Sequence, residues 1–147
     1  MAVEFQVAVD HWIRKAKGNA DLALRATVFD ALATVKALTP VRTGNLRANW
    51  TVVKGDEALP AAGATDDAMR VIETLHYGDK VAIVNPVIYA ARVEYGFVGT
   101  DSLGRHYDQK GRGMMQQTVA MLPEIARRAT QRVIAGGETG LRQGVPA

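Results

Sequence analysis

Thr39-Pro40-Val41-Arg42-Thr43-Gly44-Asn45-Leu46-Arg47-Ala48-Asn49-Trp50 is the stretch on which the reading of this chain turns, because two hydrophobic periods meet there. Pro40 has no N–H to donate and pushes Thr39 out of the helical region, so a helix arriving from the N-terminal side must stop at Leu38. Thr43-Gly44-Asn45 then predicts a tight turn, with Gly44 taking a positive φ that other residues resist. Beyond the turn, Leu46, Ala48, Trp50 and Val52 alternate with Arg47, Asn49, Thr51 and Val53. That period of two predicts a strand with one buried face.

Upstream of this corner the period is helical. Leu24, Val28, Ala31, Leu32, Val35 and Leu38 fall on one stripe, with Arg25, Asp30 and Lys36 largely off it, which predicts a long helix from Asp21 to Leu38. Before it, Val3, Phe5, Val7 and Val9 alternate with polar or small residues and predict an opening strand; Asp10 then caps a short helix over His11 to Lys17.

Downstream, Gly55 to Ala64 is rich in Gly, Ala and Pro and reads as a loop. Thr65 or Asp66 starts a short helix through Leu75, with Met69 and Ile72 inward. Lys80 to Val84 is an apolar strand stopped by Asn85-Pro86, and Val87 to Tyr95 reads as a short helix with Ile88, Ala91 and Tyr95 on one side. Gly96 to Gly113 carries five glycines and mixed charge and predicts a long loop, of the kind that is functional or disordered. The last helix begins near Met114, with Met115, Val119, Leu122, Ala126, Ala129 and Val133 inward. Pro123 within it predicts a kink or two abutting helices. The fold class expected is therefore α+β, a long N-terminal and a C-terminal helix packed on a small, mainly antiparallel sheet. Residues 1–135 are read as one domain and 136–147 as a flexible C-terminal tail.

With 147 residues, 48% hydrophobic and 22% charged, the chain has the make-up of an ordinary soluble domain. No apolar run approaches the ~20 residues of a membrane span, so no membrane partner is expected. The start lacks the basic and apolar regions of a signal peptide. Cysteine is absent, which rules out disulfides and thiolate chemistry and suits assembly in a reducing cytoplasm. The net charge is +3 with a pI near 9.4. Between Gly104 and Ile134, Arg105, Lys110, Arg112, Arg127, Arg128 and Arg132 stand against Asp108 and Glu124. Such a patch either faces nucleic acid or is a solvated face.

Motifs for catalysis are scarce. Ser102 lacks the preceding glycine of a nucleophile elbow. Gly99 to His106 has the glycine spacing of a phosphate-binding loop, but Arg105-His106 stands where Lys-Ser/Thr is required. His11, His76 and His106 each lie within three residues of an Asp without forming a recognised ligand set. No catalytic, cofactor-binding or metal residue is assigned. Glu94, flanked by aromatics, reads as a partly buried carboxylate paired with Arg42 or Arg47, against the alternative of an unpaired surface acid.

The order of these features resembles the small tail-completion proteins of long-tailed bacteriophages, also called neck, minor tail or head-tail joining proteins. The resemblance rests on Thr39 to Arg47 with Asn49-Trp50, on Tyr89-Ala90-Ala91-Arg92-Val93-Glu94-Tyr95-Gly96, and on Gly113-Met114-Met115. Gly55 to Ala64 and Gly96 to Gly113 carry no family pattern. The resemblance implies a tail-terminator-like fold and a virion structural protein, not an enzyme, working without a cofactor. It implies a homo-oligomeric ring of six- or twelve-fold symmetry at the neck that completes the tail and joins it to the head. Its partners would be head-closure or connector proteins, the tail terminator or tail tube, and DNA passing through the lumen without sequence specificity. Pro40, Arg42, Gly44, Leu46, Arg47, Trp50, Tyr89, Glu94 and Gly96 would serve structure and assembly, and Arg105, Lys110 and Arg112 would face DNA. A tail terminator capping the tube is the nearest variant, and a small basic DNA-binding module is the alternative of a different class.

Overall fold

A computed structural model describes residues 2–4, 19–42, 44–55, 57–61, 63 and 67–136. In chain order the elements are β1 (Ala2–Glu4), α1 (Ala20–Leu38), α2 (Asn45–Ala48), β2 (Thr51–Lys54), α3 (Ala68–Glu73), β3 (Val81–Val84), α4 (Ala90–Tyr95), β4 (Gly96–Thr100), β5 (His106–Lys110) and α5 (Met114–Gly136). The class is α+β. The expected helix over His11 to Lys17, the cap at Thr65 or Asp66 and the tail beyond Gly136 lie outside the described residues, as does the opening strand past Glu4.

The expected stripe organises α1: Leu24, Val28, Ala31, Leu32 and Val35 are buried. The helix stops where Pro40 requires. Thr39 is extended (φ −81°, ψ 126°) and its N–H turns back to the Lys36 carbonyl at 3.1 Å.

Gly44 has φ +82°, as its place in the turn predicted. The backbone beyond it differs from expectation. Asn45–Ala48 closes one helical turn, α2, and the strand begins only at Thr51. Leu46 and Trp50, four apart, are buried while Ala48 is exposed, so the apparent alternation was a helical spacing. A Cβ at Gly44 meets nothing within 4 Å, so a substitution there pays backbone strain alone. Gly44→Val is therefore expected to lower stability by ~1–3 kcal/mol, because a β-branched residue resists positive φ. A thermal melt unchanged by the substitution would contradict it.

β3 lies at the centre of a three-stranded antiparallel sheet of order β1-β3-β2. Its register pairs Val84 with Thr51 at one end and Val81 with Lys54 at the other. The sheet therefore has a corner end, near α2, and a distal end near Lys54. On the core face, Val52, Val81 and Ile83 join Trp50, Ile72, Leu75, Met114 and Leu122 and the stripe of α1. The opposite face carries Val53, Ala82 and Val84. At the second helix contact, Ala26, Ala129 and Val133 let α1 and α5 approach closely, and Arg132 Nη1 donates to Asp30 Oδ2 at 3.0 Å across the pair.

Three further expectations give way. Gly96 to Gly113 is not a loop: β4 and β5 form a two-stranded antiparallel hairpin, with Phe97 opposite Gln109 and Gly99 opposite Tyr107. Of the two outcomes expected at Pro123, two abutting helices are not formed: the last helix is one element of 23 residues with the proline inside it. Met69 (37% exposed) and Val119 (39%), both expected inward, face out. Ile88 precedes α4, and it, Ala91 and Tyr95 are all exposed to solvent rather than inward.

Candidate assembly surface

Everything around the corner is held by side chains reaching across the sequence. Trp50 is fully buried and its Nε1–H donates to the Thr39 hydroxyl at 2.8 Å. That hydroxyl donates in turn to the Val35 carbonyl at 2.7 Å, so one chain of bonds ties the end of α1 to the start of β2. Asn85, also buried, donates from Nδ2 to the Leu46 carbonyl at 2.8 Å and accepts from the Val87 N–H at 3.0 Å. Asn49 donates to the Asn45 carbonyl at 2.8 Å and accepts from the Gly63 N–H at 2.7 Å. Asn85 thereby satisfies two backbone groups of buried residues that would otherwise be stranded inside the protein. Asn45 Nδ2 then donates to the Tyr89 hydroxyl at 3.0 Å, so α2 and α4 abut.

Glu94 is not paired with Arg42 or Arg47, nor is it a surface residue. It is 4% exposed and caps α5: the Met115 N–H meets its two carboxylate oxygens at 2.8 and 2.9 Å, and the Gln116 N–H meets Oε1 at 3.0 Å. An anion belongs there, since the first turn of a helix presents unsatisfied N–H groups and the positive end of the dipole. Backbone bonds reinforce the joint, from the Arg112 N–H to Val93 O (2.8 Å) and the Gly113 N–H to Glu94 O (3.1 Å). Arg42 and Arg47 are left exposed at the corner.

The hairpin leaves and rejoins the body where Gly96 and Gly111 cross. A Cβ on Gly96, whose φ is +85°, would stand 2.6 Å from Gln109 O, and one on Gly111 would stand 2.5 Å from Glu94 O. Only glycine fits such a close backbone approach. On one hairpin face the Arg92 guanidinium lies 4.1 Å from the Phe97 ring centroid, and Phe97 lies 6.2 Å from Tyr107. Asp101 organises the tip. It accepts from the Leu103 and Arg105 N–H groups (both 2.9 Å), from Arg105 Nε (2.6 Å) and from the Tyr107 hydroxyl (3.0 Å). Desolvation pushes the Asp101 carboxyl up, but these donors together hold it below its ordinary value.

Four large apolar side chains are largely exposed on α4, in the turn before it and on the hairpin. Ile88 is 99% exposed, Tyr95 77%, Leu103 75% and Val98 70%. Lone exposed apolar residues are ordinary, but several on adjoining elements mark an interaction surface.

The basic stretch is less free than its sequence suggests. Arg105 is engaged by Asp101, Arg127 and Arg128 by Glu124, and Arg132 by Asp30. The Arg127 bond, then Arg128, holds the Glu124 carboxyl down at about 2. Of the three cations expected to face DNA, Arg105 is thus part of the hairpin tip, while Lys110 and Arg112 are exposed at the hairpin base.

Of the three histidines, His11 lies outside the described residues and His76 is held locally. His76 Nδ1 meets Asp21 Oδ2 at 2.9 Å, and the His76 N–H donates to Asp79 Oδ2 at 2.8 Å, joining the start of α1 to the turn before β3. Among the described residues no three metal-ligating side chains converge. His106 is exposed on β5 and Ser102 in the hairpin turn. No described helix is long and apolar enough to cross a membrane.

Sequence reasoning missed Thr39, Asn49, Asn85 and Asp101 as organising residues. Asp101, followed by Ser102 and Gly104, and Asn85, followed by Pro86, carried local turn signals, but neither named the partners.

A protein-family model described as "Bacteriophage HK97-gp10, putative tail-component" matches residues 13–96. No curated protein and no solved structure is significantly similar to the chain.

Proposed function

The chain belongs to the HK97-gp10-like family of bacteriophage tail components, and from that premise we propose that it forms a closed ring at the neck of the virion, completing the tail and joining it to the head. A structural role in the phage tail follows from the family. The exposed apolar side chains of α4, the turn before it and the hairpin, Ile88 and Tyr95 above all, carry the further step to a ring. Such surface is buried when subunits associate, and repeated identical association closes into a ring when its rotation allows. Head-closure or connector proteins would lie on one side of that ring and the tail terminator or tube on the other. Lys110 and Arg112 would face the DNA in the lumen, binding it through phosphates and without sequence preference.

The test is electron microscopy of lysates from a phage in which the gene is disrupted. Heads and tails assemble from other subunits, so the expected result is DNA-filled heads beside separate tails, with few complete particles. Tails of irregular length would make the protein a terminator that caps the tube. Normal infectious particles, or absence of the protein from purified virions, would overturn the neck assignment.

A further inference from the structure

The hairpin leaves two open ladder edges. β4 and β5 pair with each other, and no third described strand joins them. Among the described elements β4 packs chiefly on β5 and α4, and β5 chiefly on β4. The Asp101 N–H bonds the Arg105 carbonyl at 2.9 Å, in the same register that sets Gly99 opposite Tyr107 and Phe97 opposite Gln109. Bonded and non-bonded pairs alternate along an antiparallel ladder, so the backbone groups of Phe97, Gly99, Tyr107 and Gln109 point into the hairpin. Those of Gly96, Val98 and Thr100 on β4, and of His106, Asp108 and Lys110 on β5, point outward, where among the described residues no other strand meets them.

The two edges differ in charge. β5 sets His106, Asp108 and Lys110 along its edge, all exposed. Two β5 edges brought together about a two-fold at Asp108 would place carboxylate against carboxylate, which opposes that pairing. β4 reads Gly96-Phe97-Val98-Gly99-Thr100 and carries neither charge nor proline, the devices that usually close an edge to a further strand. A two-stranded ribbon is marginal by itself, and added strands stabilise it. The strand that fits the β4 edge is β5: within one hairpin their register sets Val98 against Asp108 and brings the Phe97 ring to 6.2 Å from Tyr107. The same register between copies would set Tyr107 of one beside Phe97 of the next and would bring no like charges together.

We infer that the β4 edge of one copy adds to the β5 edge of the next in the hairpin's own register, so that the hairpins of neighbouring subunits form one continuous antiparallel sheet. This deepens the neck-ring reading and rests on it. β4 against β5 joins unlike surfaces, and such a contact repeats from copy to copy until the ring closes and no edge is left bare. Pairing two β4 edges would stop at two copies and leave both β5 edges open.

Because the chain has no cysteine, any disulfide between copies must come from thiols placed by design. Facing residues on paired strands lie about 4.5–5.5 Å apart at Cα, within disulfide reach. A phage lacking the gene is supplied from plasmids with Val98→Cys and Asp108→Cys on separate chains, and purified particles are mildly oxidised and run on a non-reducing gel. The expected result is a linked two-chain species when both variants are supplied and none when either is supplied alone. A link formed by Val98→Cys alone would overturn the inference, since two β4 edges would then be meeting. So would the lack of any link in mixed particles of normal titre, an outcome that leaves the ring itself standing. Val98→Pro gives a second measurement, because it removes an outward N–H while sparing the hairpin's own ladder. It should lower infectious titre by ~100-fold or more, while the purified variant melts within about 3 °C of wild type. Normal titre from Val98→Pro would count against the edge pairing as directly as the missing link. A phage indifferent to the wild-type gene would instead remove the neck-ring reading itself.

Discussion

Trp50→Ala is expected to cost ~3–5 kcal/mol and to lower the melting temperature by about 10–15 °C. The indole fills the centre of the main core with no exposed surface, so truncation leaves a cavity between α1, β2 and β3 rather than a gap that solvent can fill. It also removes the donor to Thr39, the bond that fixes where α1 ends relative to β2. Trp50→Phe separates the two effects, keeping most of the volume while losing the N–H, and should cost ~1–2 kcal/mol. Melts of the purified variants check both. A loss under about 1 kcal/mol for Trp50→Ala would mean that the corner does not depend on this side chain.

Glu94→Ala should cost ~2–3 kcal/mol, by a different route. The substitution makes only a small cavity, but it strips the cap from the Met115 and Gln116 N–H groups in a place water reaches poorly. Glu94→Gln keeps a carbonyl acceptor but loses the charge that favours the helix N-terminus, so it should recover roughly half of the loss. Hydrogen exchange of amides 114–117 supplies a readout specific to the cap, and exchange there should accelerate well before the rest of α5. Arg42→Ala, by contrast, should shift stability by no more than ~0.5 kcal/mol, as expected of an exposed side chain. Equal effects of Glu94→Ala and Arg42→Ala would return the ion pair to consideration.

These two residues also separate what was legible in the sequence from what was not. α1 was legible because nineteen consecutive residues repeat the same spacing, and so many agreeing positions leave one backbone geometry that buries them all. The stop at Pro40 and the positive φ of Gly44 were legible for a stronger reason: a missing N–H and a missing Cβ act on the chain wherever it folds. The apolar run of β3 was long enough to call for a strand, and the family pattern spread over the corner and the Tyr89–Gly96 segment pointed to a phage tail component.

Only the tertiary structure decided the rest. Leu46, Ala48 and Trp50 fit a period of two, but three positions also fit a helical turn, and Asn85, thirty-nine residues from Leu46, helps to fix the turn by binding its carbonyl. The glycines of 96–113 looked like loop formers, yet Gly96 and Gly111 are required because two backbones cross there, and the strands between them pair with each other. Glu94 was singled out from its neighbours in sequence, but its partners are N–H groups twenty-one and twenty-two residues on, and no side-chain pattern announces a backbone donor. The physical division is one of range. Steric limits and long periodicities belong to the chain itself, whereas short elements, caps and close crossings are set by contacts that exist only once the chain has folded.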